Sequence, residues 1–131
     1  MATAAATIQK RLPAGLCSVT LEAQETPERK LDCRISGEIV VRTPNGNAVS
    51  PEQLQVLCGS GLALARRKLK LKAGLSAIIS SISGVLAPDD ETGVCIATAV
   101  AVAKALGKPD LLLQQSLNGW EIVAEQAASA G

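Results

Sequence analysis

A run of basic side chains is the densest concentration of ionisable groups in the sequence. It comprises Arg66, Arg67, Lys68, Lys70 and Lys72. On a helical projection Arg66, Arg67 and Lys70 share one arc, from which they could hold the phosphates of a nucleic acid. No aromatic residue lies beside them to stack on a base, and clustered charges on a helix more commonly form a solvated face. We therefore keep nucleic-acid binding by segment 66–72 as the alternative function.

The cysteines could serve as nucleophiles, metal ligands or disulfide partners. There are four, Cys17, Cys33, Cys58 and Cys95, and none belongs to a C-x-x-C pair. Closely spaced pairs are the usual basis of zinc sites, so a metal site is not expected. Three of the four, at 17, 33 and 95, fall on predicted apolar faces without a basic neighbour, where a thiol acts as a small hydrophobic group. We predict no metal site, no catalytic thiol and no disulfide, as expected in the reducing cytoplasm.

Two further segments offer chemistry, and each has a simpler structural interpretation. Asp89, Asp90 and Glu91 could bind a metal or form a carboxylate pair. Acids in the first turn of a helix, however, stabilise the helix dipole, and we expect that role. The glycine-rich segment 59–61 lacks the Lys and Ser or Thr of a phosphate-binding loop.

The composition removes most catalytic groups. The chain of 131 residues has no His and no Tyr, and its 13 Lys and Arg against 12 Asp and Glu give a net charge of +1. Triads built on His and pH switches built on His are therefore excluded. A balanced charge gives no global attraction to nucleic acid or to an anionic membrane. We predict a cytoplasmic, non-enzymatic protein with no catalytic residues, no cofactor and no membrane partner.

Two stretches alternate between apolar and polar residues. Leu16 to Ala23 and Leu31 to Arg42 both show the period of two that is typical of strands with one buried face. A polar stretch containing Pro27 separates them, which predicts an antiparallel hairpin over 16–42. Placing Leu21 opposite Leu31 buries the apolar residues of both strands together. A weaker alternation predicts a C-terminal strand over 120–125, with Trp120 in the core.

A helical pattern follows the turn at 43–47. Ser50, Pro51 and Gln53 form a predicted N-cap, first helical position and capping box. Apolar residues then recur every seven positions as far as residue 85, which indicates a helix. A continuous helix over 51–86 would be about 54 Å long, too long for a domain of this size unless it bends or projects. We favour a break between Lys68 and Gly74, giving two helices. The stripe proposed to bind a partner consists of Leu64, Leu71, Ile78 and Val85.

The remainder of the chain is read as helical and largely apolar. The segment after Pro88 is apolar nearly all round, which predicts a central buried helix ending at Gly107. A short helix is expected over 110–117.

These elements predict an α+β fold in a single domain over 1–131. We expect a small antiparallel sheet (hairpin 16–42 plus a possible strand 120–125), three to four helices packed on one face, and short tails at 1–7 and 126–131. Because one Trp is the single aromatic residue, the core depends on aliphatic side chains, and its many alanines bury little area. Self-association would bury more. We predict a non-catalytic interaction or structural protein that forms a homo-oligomer, with another protein as a second kind of partner.

Overall fold

A five-stranded mixed sheet and two helices make up the computed structural model, which describes residues 2–10, 15–85, 92–108 and 119–123. The elements in chain order are β1 (Ala2–Lys10), β2 (Gly15–Thr26), β3 (Leu31–Arg42), α1 (Pro51–Lys68), β4 (Gly74–Val85), α2 (Thr92–Ala105) and β5 (Glu121–Ile122). The strands lie side by side in the order β3-β4-β2-β1-β5. Neighbours are antiparallel except for β3 and β4, which are parallel. The predicted small antiparallel sheet with three to four helices is therefore wrong.

The predicted hairpin over 16–42 is wrong in its pairing, although both of its strands exist. β4 lies between β2 and β3, so that Leu21 pairs with Ile79 and Ile79 pairs with Ile35. The inward face of β2 was read correctly, since Cys17, Val19 and Leu21 are fully buried. Local alternation reports which face of a strand is buried, but not which strand lies next to it.

The predicted helical segment 51–86 is a helix followed by a strand. The N-cap is confirmed, because the Ser50 side chain accepts a hydrogen bond from the Gln53 N–H at 3.3 Å and Pro51 follows it. The chain does break between Lys68 and Gly74, but the second part is β4. A β-bulge explains the error, since Thr20 pairs with Ser81 and Leu21 pairs with Ile79, which leaves Ser80 as the extra residue. The bulge shifts the alternation by one position, so that the apolar spacing of the strand resembles a helical period.

The N-terminal segment was also misread. Residues 2–7, expected to form a tail, belong to β1, which pairs with β2 over its full length from Ala2 opposite Ala23 to Lys10 opposite Gly15. At the other end of the chain, β5 pairs with Ile8 and Gln9 of β1. The expected short helix at 110–117, the acidic residues 89–91 and the C-terminal tail lie outside the described residues.

The core lies between one face of the sheet and the two helices. As predicted, α2 is buried nearly all round; its last residue is Ala105, and Gly107, two residues further on, has a φ of +68°. α1 and α2 touch closely at Gly61, where an added Cβ would lie 2.6 Å from the Cys95 carbonyl oxygen. Trp120 is 2% exposed, and an added Cβ at Gly15 would meet its ring at 2.8 Å.

The opposite face of the sheet is open in the described part of the chain and carries mostly small polar side chains. Thr7 and Ser18 share a hydrogen bond there at 2.8 Å, and Ser18 pairs with Ser83 on the next strand. Ile78 lies half-buried on this face, while its neighbour Ile79 is fully buried on the other. None of the described helices combines the length and apolar character needed to cross a membrane.

Candidate functional site

An open pocket at the C-terminal end of α1 gathers the basic residues that the sequence pointed to. Arg66, Arg67 and Lys70 line it, and its volume is about 430 Å³. Its remaining walls are apolar and come from α1, from β3 and from the loop after α1: Ala63, Leu31 and Leu71. We call this the cationic pocket.

The end of α1 positions the three basic side chains. Ala63, Arg66 and Arg67 are spaced by three and four residues, which places them on one helical face. The helix closes when the Leu71 N–H donates to the Arg66 carbonyl at 3.0 Å, with Lys70 at a φ of +56°. This left-handed turn directs the chain back beside the helix. Lys70, which follows the last helical residue, therefore lines the same pocket as the two arginines.

Lys70 occupies a backbone conformation that normally belongs to glycine. Among the described residues it is the one non-glycine residue with a positive φ. A side chain in this region costs about 1 kcal/mol or more relative to glycine. Because glycine would relieve that cost, the side chain of Lys70 is a candidate for a functional role.

The cationic pocket has no anionic partner within the described part of the chain. No described carboxylate forms an ion pair with Arg66, Arg67 or Lys70, whereas Lys30 does pair with Glu28 at 3.7 Å. Arg67 does act on one titratable group: it lowers the pKa of Cys95, against the larger effect of burial, which raises it. Cations at the end of a helix also interact favourably with the helix dipole, which is the structural explanation of the cluster.

The four residues of the predicted partner-binding stripe do not lie together on one helix. Leu64 lies half-buried on α1, Leu71 lines the cationic pocket, Ile78 faces the open side of β4, and Val85 ends that strand at 42% exposure. A spacing of seven residues places side chains on one face only in a continuous helix. A role for any of them in partner binding stays a prediction.

The basic segment divides into residues that line the cationic pocket and residues that do not. Lys68 and Lys72 do not line the cationic pocket, whereas Arg66, Arg67 and Lys70 do. Sequence reasoning missed Leu31 and Ala63. The position of Ala63, three residues before Arg66, could have identified it as a wall, but nothing in the sequence linked Leu31 to α1.

The four cysteines are free thiols and lie on four different elements. Burial raises the pKa of the Cys17 thiol from its ordinary value of 9.0 to about 12. Among the described residues, no group of three or more cysteine or acidic side chains is arranged to hold a metal ion. Cys58, on α1, is the common neighbour that influences the pKa of the other three.

Comparisons with known proteins give a partial likeness to solved structures. No family model matches this chain, and no curated protein sequence matches it either. Solved structures with a partly similar fold include a mevalonate kinase (14% identity, TM-score 0.37, covering 87% of this chain and 44% of that one). A homoserine kinase from Cytophaga hutchinsonii is 11% identical, with a TM-score of 0.44, over 91% of this chain and 41% of that one. A mevalonate kinase from Methanococcus jannaschii is 14% identical, with a TM-score of 0.35, over 86% of this chain and 43% of that one. This chain spans less than half of each of these proteins, and at such TM-scores the likeness carries no argument about function.

Proposed function

We propose that this protein is a non-catalytic, cytoplasmic binding protein that contacts the phosphate backbone of nucleic acid through the cationic pocket. The observation that carries the proposal is the convergence of Arg66, Arg67 and Lys70 on one open pocket without a carboxylate partner among the described residues. The sequence favoured self-association first, but its main support was the helical stripe, which the fold removes. Nucleic-acid binding, the alternative in the sequence analysis, is therefore the first candidate.

The shape and lining of the cationic pocket define what it could recognise. Its walls are Leu31, Ala63 and Leu71, and no aromatic side chain is among its lining residues. Bases usually bind single-strand proteins by stacking on aromatic rings, so base recognition has no support here. Three cations around an open pocket fit a sugar–phosphate backbone, which carries no sequence information by itself.

The test is binding of a fluorescently labelled single-stranded RNA over a series of salt concentrations. Three phosphate contacts predict that the logarithm of affinity falls with the logarithm of salt with a slope of about −2. Replacing Arg66, Arg67 and Lys70 together by Ala should bring that slope close to zero. Ala63→Glu, an exposed helical position on the pocket wall, should weaken binding while keeping the fold.

A charge-matched control separates the pocket from net charge. Replacing the exposed residues Arg29, Arg34 and Lys108 by Ala removes three positive charges elsewhere, and it should leave the salt slope unchanged. An equal loss of RNA affinity in the two triple variants, or no RNA binding by the unmodified protein, would contradict the proposal.

Self-association is the second candidate, and it rests on the unequal protection of the two sheet edges. Along β3 the Gln55 side chain donates to the Cys33 carbonyl at 2.6 Å, and the Val49 N–H donates to the Val41 carbonyl at 3.0 Å. Along β1, β5 pairs with Ile8 and Gln9 in the described part of the chain, and no charge, proline or bulge interrupts segment 2–6. An edge without such protection recruits further strands. The second candidate is therefore a homodimer in which segment 2–6 pairs antiparallel with its copy.

Ala5→Pro tests this dimer. The Val123 N–H donates to the Thr7 carbonyl, so the backbone polar groups of Thr7, and by alternation those of Ala5, point away from β2. Proline at position 5 removes an outward donor and spares the pairing with β2. Light scattering should find a dimer for the unmodified protein at tens of micromolar and a monomer for the variant, with the same circular dichroism. An unmodified protein that is monomeric under these conditions would rule the dimer out.

A further inference from the structure

The cationic pocket has apolar walls as well as positive charges, and its two leucine walls come from separate parts of the fold. Leu31 begins β3 and is 39% exposed, while Leu71 follows the end of α1 and is half-buried. Both line the pocket together with the exposed side chain of Ala63. Cations that met only a solvated phosphate would need no apolar surface beside them. The walls therefore point to an uncharged part of the ligand.

Backbone hydrogen bonds hold both leucines in place. The Leu71 N–H donates to the Arg66 carbonyl at 3.0 Å, which closes the end of α1. Leu31 pairs with Leu75 of β4, and the Leu75 N–H donates to the Lys30 carbonyl at 2.9 Å. Because the backbone of both walls is fixed in the free protein, a ligand that packs against them pays little for ordering the chain.

The size of the cationic pocket fits one unit of a nucleic-acid backbone. Its volume of about 430 Å³ lies in the range of sites for small molecules. A ribose carries carbon-bound hydrogens between its two phosphates, so one nucleotide can meet the apolar walls and the cations together. A single strand can curve to place that sugar in the pocket. A duplex has a persistence length of about 150 base pairs and cannot bend its backbone into a pocket of this size.

We propose that the two leucine walls pack against the sugar of one unpaired nucleotide while the three cations of the pocket hold the phosphates beside it. The cationic pocket thereby selects single strands over duplexes. This inference rests on the proposed function and adds the class of nucleic acid to it. Charge alone gives the opposite preference, because a duplex carries one phosphate per about 1.7 Å of its axis, a denser array than a single strand offers. A preference for single strands therefore reports the walls rather than the charges.

The experiment compares two labelled RNAs on the full chain over a series of salt concentrations. One is an oligouridylate, which stays unpaired, and the other is a hairpin duplex with the same number of phosphates. We expect the unmodified protein to bind the oligouridylate about fivefold more tightly, the effect of burying about 40 Å² of apolar surface. This comparison needs no variant, so it decides the question even where a substitution disturbs the fold.

A substitution in one wall separates the apolar contact from the charges. Leu31→Ser should lower the affinity for oligouridylate by about the same factor at every salt concentration, and leave its salt slope and the affinity for the duplex unchanged. Leu31→Met keeps an apolar wall and should retain the preference for the single strand. Val56→Ser is the matched control, because Val56 is 68% exposed on α1 and does not line the pocket. Circular dichroism checks that each variant is folded.

The outcomes distinguish this inference from the proposed function. If the unmodified protein binds the duplex as tightly as the single strand, with the salt slope of three phosphate contacts, the inference is overturned and the proposed function stands. If it binds neither RNA, both are overturned. Equal losses of affinity for oligouridylate in folded Leu31→Ser and Val56→Ser would also overturn the inference, because the wall would then contribute nothing of its own.

Discussion

Lys70 is the residue at which local stability and the proposed function are expected to conflict. Its positive φ would suit glycine, which adopts this conformation without the steric cost of a side chain. We predict that Lys70→Gly raises the free energy of unfolding by about 1 kcal/mol, measured by urea denaturation. The same variant should weaken RNA binding. Lys72→Gly, in the same loop but outside the cationic pocket and without a positive φ, should bring neither change; a loss of stability in Lys70→Gly would contradict the argument.

Cys17 should make the stability of the protein depend on alkaline pH. Burial raises its pKa to about 12 in the folded protein, from 9.0 where it is accessible. Between these values the unfolded chain loses the thiol proton and the folded chain keeps it, so stability is full below about pH 9 and falls as pH rises toward 12. The expected slope from this group is about −1.4 kcal/mol per pH unit.

Urea denaturation from pH 8 upward measures this slope, and Cys17→Ala is its control. Other groups also ionise at high pH, so the prediction concerns the difference between the two proteins. The stability of the unmodified protein minus that of Cys17→Ala should fall by about 1.4 kcal/mol for each pH unit above 9, because the unmodified protein alone loses the Cys17 contribution. Parallel curves would show that Cys17 ionises equally in both states.

Helix α1 contains two glycines that test how closely the helices pack. An added Cβ at Gly59 would meet nothing within 4 Å, whereas at Gly61 it would lie 2.6 Å from the Cys95 carbonyl oxygen and 2.7 Å from the Thr98 Cβ. Gly59→Ala should therefore stabilise the protein by about 0.5–1 kcal/mol through helix propensity. Gly61→Ala has the same propensity gain but should destabilise by about 1–3 kcal/mol, because the two helices must separate. Thermal denaturation of the pair measures the difference, and equal effects would mean that α1 and α2 do not touch at Gly61.

At the scale of the whole molecule, the sheet is covered on one face only among the described residues. Ile78 and Ile79 are adjacent on β4 and point to opposite faces. Ile79→Ala removes a fully buried side chain from the centre of the core and should cost about 2–5 kcal/mol. Ile78→Ala, on the open face, should cost less than about 1 kcal/mol in a dilute monomer. A large, concentration-dependent loss for Ile78→Ala would instead indicate that a second copy covers this face.

Several features of the molecule follow from the sequence because neighbouring residues determine them. The N-cap at Ser50 requires only Ser, Pro and Gln at the right spacing, and the inward face of β2 follows from strict alternation. Likewise, the grouping of Arg66 and Arg67 follows from the period of a helix. These elements were predicted correctly because the forces that set them act over a single turn or along a single strand.

Tertiary structure alone decided which strands pair and which residues line the cationic pocket together. β4 lies between β2 and β3 because a parallel partner reached through α1 buries the apolar faces of both neighbours, a gain that depends on residues far apart in the chain. The bulge at Ser80 shifts the alternation of apolar residues in β4 by one position. The spacing of apolar residues alone cannot distinguish such a shifted strand from a helix with one apolar face. Leu31 joins the cationic pocket only after α1 has packed beside β3. No local spacing encodes these contacts, because they arise from the burial of whole faces against each other.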